Sequence, residues 1–296
     1  MFEIKNYRRA TSLEEAWTLN QKKANRVIGG MMWLKMGRGS VDTAIDLSDL
    51  GLDRIEEYEK EFHIGCMVTL RQLELSAELN ACFDNMLRDA LCQIVGVQFR
   101  NLATVGGSVW GRYGFSDVLT VFTALGAELV LYRGGRMTLC DFLERKAERD
   151  ILEKIILPKR AGHFAYLSVR NTKTDFPVLN VAAVLKDAKE SAGNDGRAAG
   201  LSLRLAIGAR PQRAVLLTAG EGQFTASALK QLSEDRKAAE RFITEAEAFS
   251  LYVSEQIATG SNLRGSAAYR KRLVRVLTGR VLRKAAGLPL RQGGTE

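Results

Sequence analysis

The chain has 296 residues, of which 46% are hydrophobic and 26% charged, with a formal net charge of +9. One core seldom grows past about 250–300 residues, so this length predicts two domains. No apolar run approaches the roughly 20 residues of a membrane helix, and the start MFEIKNYRRATS lacks a signal peptide's apolar stretch, so the expected location is cytoplasmic.

The first fifty residues read as strand, helix, strand and turn, a βαβ-like unit. Ser12 and Glu15 form a capping box ahead of Leu13, Ala16 and Trp17, and Asn25–Ile28 is a short strand that runs into Gly29 and Gly30. From Ile45 the chain turns through Leu50 and Gly51. Two paired strands follow, 54–59 and 60–66, then a second capping box, Thr69 with Gln72, which opens a helix carrying Leu70, Leu73 and Leu75. The stripe Met86, Leu87, Ala90, Leu91, Ile94 and Val95 predicts a helix from Asp84, closed by Gly96 as a left-handed cap. A paired glycine comes next, in NLATVGGSVWGRYGFSD, residues 101–117, after which Ser116 and Asp117 open an apolar helix through Leu125, ended by Gly126. The span 127–132 alternates like a strand, with Gly134 and Gly135 as a hairpin turn, and a strand over 152–157 stops at Pro158. A domain boundary near residue 160 follows.

Beyond it, 164–169, 178–185 and 201–207 read as three antiparallel strands, the last two joined by the polar loop KESAGNDGR. Helical stretches cover 226–257, with an internal break, and 266–286. The layout is α+β, with strands too irregularly interleaved for a doubly wound parallel sheet.

The two glycine pairs that follow apolar runs, Gly29-Gly30 and Gly106-Gly107, carry the chemistry. A diphosphate needs many backbone N–H donors and tolerates no Cβ at close range, so the pairs read as two halves of a dinucleotide cradle. Taken singly, each reads more simply as a tight turn. Cys66, Cys82, Cys92 and Cys140 stand singly without C-x-x-C spacing, and His63 and His163 lack neighbouring acids, which argues against a zinc site, an iron–sulfur site or a Ser-His-Asp triad. Basic residues are mixed with 34 acids except along 264–291, where the apolar positions recur at helical spacing and put the charges mainly on an outer face. No nucleic-acid recognition motif accompanies them.

VIGGMMWL, IGCMVTLRQLE, VGVQFRNLATVGGSV, LPKRAGHFAYLSVRNTKTDFPVLNVAAVL and GSAAYRKRLVRVL, in that order, resemble the FAD-binding medium subunit of xanthine dehydrogenase and carbon monoxide dehydrogenase-type molybdenum hydroxylases. The resemblance spans about residues 2–285. It implies a PCMH-type FAD-binding domain over 1–160, with subdomains of about 1–52 and 53–160. A second domain over 161–290 would hold a three-stranded antiparallel sheet and a helical bundle.

Carried over by residue, Arg26, Val27, Ile28, Gly29, Gly30, Met31, Met32 and Trp33 form the first FAD loop. Ala103, Thr104, Val105, Gly106, Gly107 and Ser108 form the second. Gly111, Ser116 and Asp117 lie near the ribityl and diphosphate portion, Ile94 and Val95 near the ring system, and Leu152 against the flavin or adenine. The chain departs from the pattern at Met31 and Met32, where polar residues are usual, at Ser108 for Asn, and in the bulky WGRYGF. FAD is expected to be noncovalent, because neither loop holds a His or Cys. No catalytic side chain and no metal ligand is expected on this chain. The implied partners are a small [2Fe–2S] subunit and a large molybdopterin subunit, with NAD or another acceptor taking the electrons. An FAD-less scaffold subunit and a stand-alone flavin oxidoreductase are the alternatives.

Overall fold

The computed structural model describes residues 2–146, 148–187, 201–219 and 229–290. The chain divides into two compact units, each assembled from separated segments. The first comprises Met1–Glu78, Leu91–Tyr113 and Gly126–Lys159, and the second Leu79–Ala90, Gly114–Leu125 and Arg160–Glu296. Sequence reading places one boundary near residue 160; the structure adds earlier crossings of the chain between units.

The first unit holds β1 (Phe2–Arg9), β2 (Arg26–Ile28), β3 (Gly39–Asp46), β4 (Ile55–Glu57), β5 (Glu61–Gly65), β6 (Glu128–Leu131), β7 (Gly135–Thr138) and β8 (Leu152–Pro158). β3 lies between β1 and β2, parallel to both, and was not anticipated: its polar residues hide the alternation, and pairing on both sides makes it a strand. The remaining strands form an antiparallel sheet in the order β4-β5-β8-β6-β7.

Thr69 and Gln72 make the expected reciprocal box, whereas the box expected at Ser12 is half formed: Ser12 accepts the Glu15 N–H at 3.1 Å, and the Glu15 carboxylate accepts the Thr11 N–H (2.8 Å) instead of that of Ser12. The helix Leu13–Gln21 ends on Arg149, whose guanidinium donates to the carbonyls of Asn20 (2.5 Å), Lys22 (2.8 Å) and Asn25 (2.9 Å). These are donors that the end of a helix and the chain leaving it would otherwise lack.

Three local expectations change. The helix expected from Asp84 to Val95 is shorter, Met86–Leu91, and a separate helix Ala77–Cys82 precedes it, with Asp84 (φ 49°) and Asn85 (φ 58°) left-handed between the two. That turn lets the Asp84 carboxylate accept the Phe164 N–H at 3.0 Å. Gly96 is extended and opens the helix Val97–Leu102, while Val95 takes the left-handed position at φ 47°. The hairpin pairs Leu131 with Gly135, so its loop is 132–134, and Gly135 (φ 66°) closes it.

The second unit contains β9 (His163–Arg170), β10 (Pro177–Asp187), β11 (Leu201–Gly208) and β12 (Val215–Ala219), antiparallel in the order β12-β11-β10-β9. The fourth strand extends the expected three. The loop KESAGNDGR and the start of the helical stretch at 226 lie outside the described residues. From Pro177 to Leu185 every residue of β10 is buried. Such a run needs cover on both faces. The helices Arg236–Gln256 and Ala267–Ala285 share one apolar cluster with the sheet. Helix Asp117–Leu125, buried at all nine positions, bonds to the sheet through Thr120–Asn180 (2.9 Å) and Arg204–Ala124 (2.9 Å). A helix apolar all round must be enveloped, which is why this segment leaves its sequence neighbours for the second unit.

The carboxy-terminal helix, capped by Ser266, exposes Lys271, Arg272, Arg275 and Arg280 but buries Arg270 and Arg283. Arg270 is fully buried. Its Nε donates to Val178 O (2.9 Å), Nη1 to Gly260 O (2.7 Å) and Gly265 O (2.5 Å), and Nη2 to Asn262 Oδ1 (2.6 Å). Arg270→Met removes the donor from four acceptors, of which Val178 O is buried and the others are part-buried, and is expected to lower unfolding free energy by about 2–4 kcal/mol in urea titration; a loss under about 1 kcal/mol contradicts this role.

Candidate functional site

β2 delivers the chain into Gly29 and Gly30, which pack directly on the segment before the second glycine pair. A Cβ on Gly30 would stand 1.7 Å from Leu102 O, and one on Gly29 would stand 2.5 Å from Thr104 Oγ1. The two glycine regions therefore meet, and the contact is possible only without side chains at 29 and 30. Met31 follows in the left-handed region (φ 55°), an uncommon conformation for a residue with a side chain. The N–H groups of Gly30, Met31 and Met32 have no acceptor among the described residues.

The second pair behaves differently from its reading as a donor loop. It forms the first turn of the helix Val105–Trp110. Val105 N–H donates to Val68 O (2.8 Å), Gly106 N–H to Cys66 O (2.8 Å), and Gly107 N–H to the Thr104 hydroxyl (3.1 Å). These amides are already used. Gly106 is required by packing, since a Cβ would lie 2.6 Å from Cys66 O. Gly107 is not so constrained: its Cβ would meet only the Thr104 hydroxyl, at 3.1 Å. The second pair thus offers a bare surface, and the free donors lie on the first turn.

Between them is a cavity of about 280 Å³, close to the lower end of small-molecule sites. All of Arg26–Trp33 lines it, with Ala103, Thr104, Gly106, Gly107, Ser108, Gly111 and Leu152. Val105 is buried in the core and does not line it. Neither do Ile94, Val95, Ser116 or Asp117. Ile94 and Val95 form a turn held by Arg100, which donates to Ile94 O (2.9 Å) and pairs with buried Glu74 (2.7 Å). Ser116 accepts the Leu119 N–H at 3.2 Å, near the start of the helix in the second unit. The Asp117 carboxylate is buried among the Tyr166 hydroxyl, the Asn180 amide (2.9 Å) and the Arg170 guanidinium (2.8 Å).

Sequence reading missed Asn20, Leu34, Leu47, Cys66, Met67, Trp110, Tyr113, Asp150 and Ile151, which also line the cavity. No motif marks most of them, because they arrive from six separate stretches of chain. Arg26 is the one cation of the lining and Asp150 the one anion. The Asp150 carboxylate accepts N–H groups from Arg133 (3.2 Å), Gly134 (2.7 Å) and Ile151 (2.8 Å), which offset its charge. Burial pushes the Cys66 thiol up to about 12, so it stays neutral at physiological pH. Among the described residues no cluster of His, Cys, Asp and Glu could hold a metal ion, and no helix is long and apolar enough to cross a membrane.

Residues 1–160 match the model of the FAD-binding domain in molybdopterin dehydrogenase. The chain belongs to that family. It is 27% identical over 295 residues to the nicotine 6-hydroxylase medium subunit of Paenarthrobacter nicotinovorans, with 94% of this chain and 96% of that one covered. It is 26% identical over 279 residues to the protein YgfM of Escherichia coli strain K12, covering 93% of each. The fold is that of a chain of quinoline 2-oxidoreductase from Pseudomonas putida 86, with a TM-score of 0.76, 22% identity and coverage of 95% and 96%. The family is one of FAD-binding components of oxidoreductases. The cavity fits such a group on its own terms: N–H donors with no acceptor among the described residues stand on one wall, and on the other Gly106 and Gly107 present backbone without side chains.

The pair Glu74–Arg100 sets a pH dependence. Burial pushes the Glu74 carboxyl up, but hydrogen bonds from Arg100 and Arg71 outweigh it, and the group is held below its ordinary value. A depressed carboxylate stabilises the fold above its unfolded pKa, about 4.3, and that contribution is lost as pH falls through the folded value. Thermal melts should show stability falling below about pH 4.5. Glu74→Gln, which leaves buried Arg100 unpaired, should cost about 3 kcal/mol at pH 7, with the gap from wild type narrowing on acidification; a constant gap would refute the assignment.

Proposed function

We propose that this chain is the FAD-carrying electron-transfer subunit of a molybdenum hydroxylase complex. It receives electrons from [2Fe–2S] clusters on a small partner subunit, supplied by a large molybdopterin subunit, and passes them through FAD to NAD or another acceptor. The observation that carries this is the meeting of two side-chain-free surfaces at one cavity, with three amides beside it that have no acceptor among the described residues. Bound FAD supplies the exchange between one-electron and two-electron chemistry, which no side chain here can.

The chain's own residues bind and orient. Gly30, Met31 and Met32 offer main-chain donors suited to a diphosphate, and Arg26 supplies positive charge beside them. Met31 and Met32 add no side-chain hydrogen bond, so recognition on this turn falls to the backbone. Gly107 leaves room for close approach, while Leu47, Ile151 and Leu152 give the cavity an apolar wall that excludes water. The proposed noncovalent attachment is supported by Cys66. It is the one cysteine of the lining, and its thiol, kept protonated by burial, is a poor nucleophile. The partner subunits are inferred from what this chain lacks in sequence, since its four cysteines stand singly. The medium-subunit name of the relative from Paenarthrobacter nicotinovorans supports the same division of labour.

Two glycine substitutions separate binding from folding. Gly107→Val meets only the Thr104 hydroxyl, a side-chain end that can give by a few tenths of an ångström, and should leave a cooperatively melting protein that no longer retains flavin, measured as the flavin-to-protein absorbance ratio after reconstitution. Gly30→Val collides with backbone and should lower stability itself. Full flavin occupancy in Gly107→Val would overturn the placement of the site, and a wild-type chain that takes up no flavin would favour the scaffold alternative. Acid precipitation should leave all flavin in the supernatant; colour remaining with the polypeptide would contradict noncovalent attachment.

A further inference from the structure

The cavity is lined by two of the chain's three tryptophans, Trp33 and Trp110. Trp33 directly follows Gly30, Met31 and Met32, whose amides have no acceptor among the described residues, and it lines the same cavity as they do. It is half-buried, so it keeps accessible surface at the cavity.

The ring is braced from two sides. Phe99, which does not line the cavity, meets it edge-on at 6.0 Å and 66°. Tyr113, which does line it, meets it at 5.7 Å and 51°. The position of Tyr113 is itself specified. After Trp110 ends its helix, Arg112 adopts a left-handed conformation (φ 48°), its guanidinium 4.0 Å over the Phe142 ring and bonded to Arg145 O at 2.5 Å. The chain thereby doubles back and lays the Tyr113 ring 2.4 Å from where a Cβ on Gly111 would stand. Any residue other than glycine at 111 would evict it. The bulky WGRYG segment is therefore a clip that holds an aromatic face beside a set of phosphate donors.

We infer that Trp33 is a stacking residue for a flat heteroaromatic ring of the bound nucleotide, with Tyr113, Arg112 and Gly111 as positioning residues that fix its plane. This rests on the proposal that the cavity takes FAD. A ring packed on a rigid, partly desolvated indole gains dispersion and quadrupole attraction, and stacking of a base on an aromatic side chain typically accounts for about tenfold or more in affinity. FAD carries two such rings. ADP shares the adenine and FMN the isoalloxazine, so the pair of probes tells them apart.

The test uses the full apo-chain and its Trp33→Phe, Trp33→Leu and Trp110→Phe variants, titrated with FAD, ADP and FMN by equilibrium dialysis and by tryptophan emission. Trp33→Leu should bind FAD at least about tenfold more weakly than wild type, and Trp33→Phe within about threefold. The same loss confined to ADP assigns the adenine to Trp33, and confined to FMN it assigns the isoalloxazine. Emission gives a reading that does not need the leucine variant to fold: FAD-induced quenching should fall by at least half in Trp33→Phe and persist in Trp110→Phe. Equal FAD affinity of wild type and a folded Trp33→Leu, or unchanged quenching in Trp33→Phe, overturns the stacking role while leaving the FAD site intact. Failure of wild type to bind FAD overturns the site itself, and the inference with it.

Discussion

The carbonyl oxygen of Leu102 occupies the place where a side chain on residue 30 would begin. This single close approach joins a turn near the start of the chain to a segment seventy residues later, and everything that lines the cavity follows from it. With the Gly29-Gly30 turn seated on Leu102–Thr104, the amides of Gly30, Met31 and Met32 cannot reach the usual backbone partners, and Met31 is driven into a left-handed conformation. Unused donors and local strain are costly in a region without function. Their coincidence at the mouth of one cavity is what a ligand supplying acceptors would relieve.

The two glycine pairs do different work. The first provides donors because the N–H groups of Gly30, Met31 and Met32 have no acceptor among the described residues. The second provides emptiness, because Val105 and Gly106 have spent their amides on Val68 and Cys66. Gly106 allows that packing and Gly107 leaves space beside it. A cradle of this kind grips from one side and yields from the other, which suits a ligand with a charged middle and flat, largely apolar ends.

Buried charge does the fine positioning. Glu74 and Arg100 hold the Ile94–Val95 turn, Arg149 gathers three carbonyls at the end of the first helix, and Arg270 satisfies four acceptors with no carboxylate at all. Each arginine works as a planar fork bridging loops that share no regular hydrogen-bonding pattern. In the second unit Asp117 plays the corresponding part among Tyr166, Asn180 and Arg170, where burial pushes the tyrosine hydroxyl well above its ordinary value. An acid that looks, in sequence, like a first-turn helix residue is thus a hub of the second unit's core.

Much was legible in the chain itself wherever the cause is local. Ser12, Thr69, Ser266 and Gly126 mark helix ends because caps depend on residues three or four apart, the glycine pairs marked a place for a diphosphate because they lack side chains, and FAD followed from the resemblance of the ordered motifs to a family. What was not legible depends on partners remote in sequence. The polar β3 is a strand because neighbours pair with it on both sides, Gly96 and Val95 exchange roles because Arg100 claims the Ile94 carbonyl, and Asn20, Asp150 and Tyr113 reach the cavity by folding alone. The sequence by itself determined which glycines could come close to something. Only the tertiary structure decided what each comes close to, since a missing Cβ is written in the chain while the atom that fills or leaves its place arrives from elsewhere.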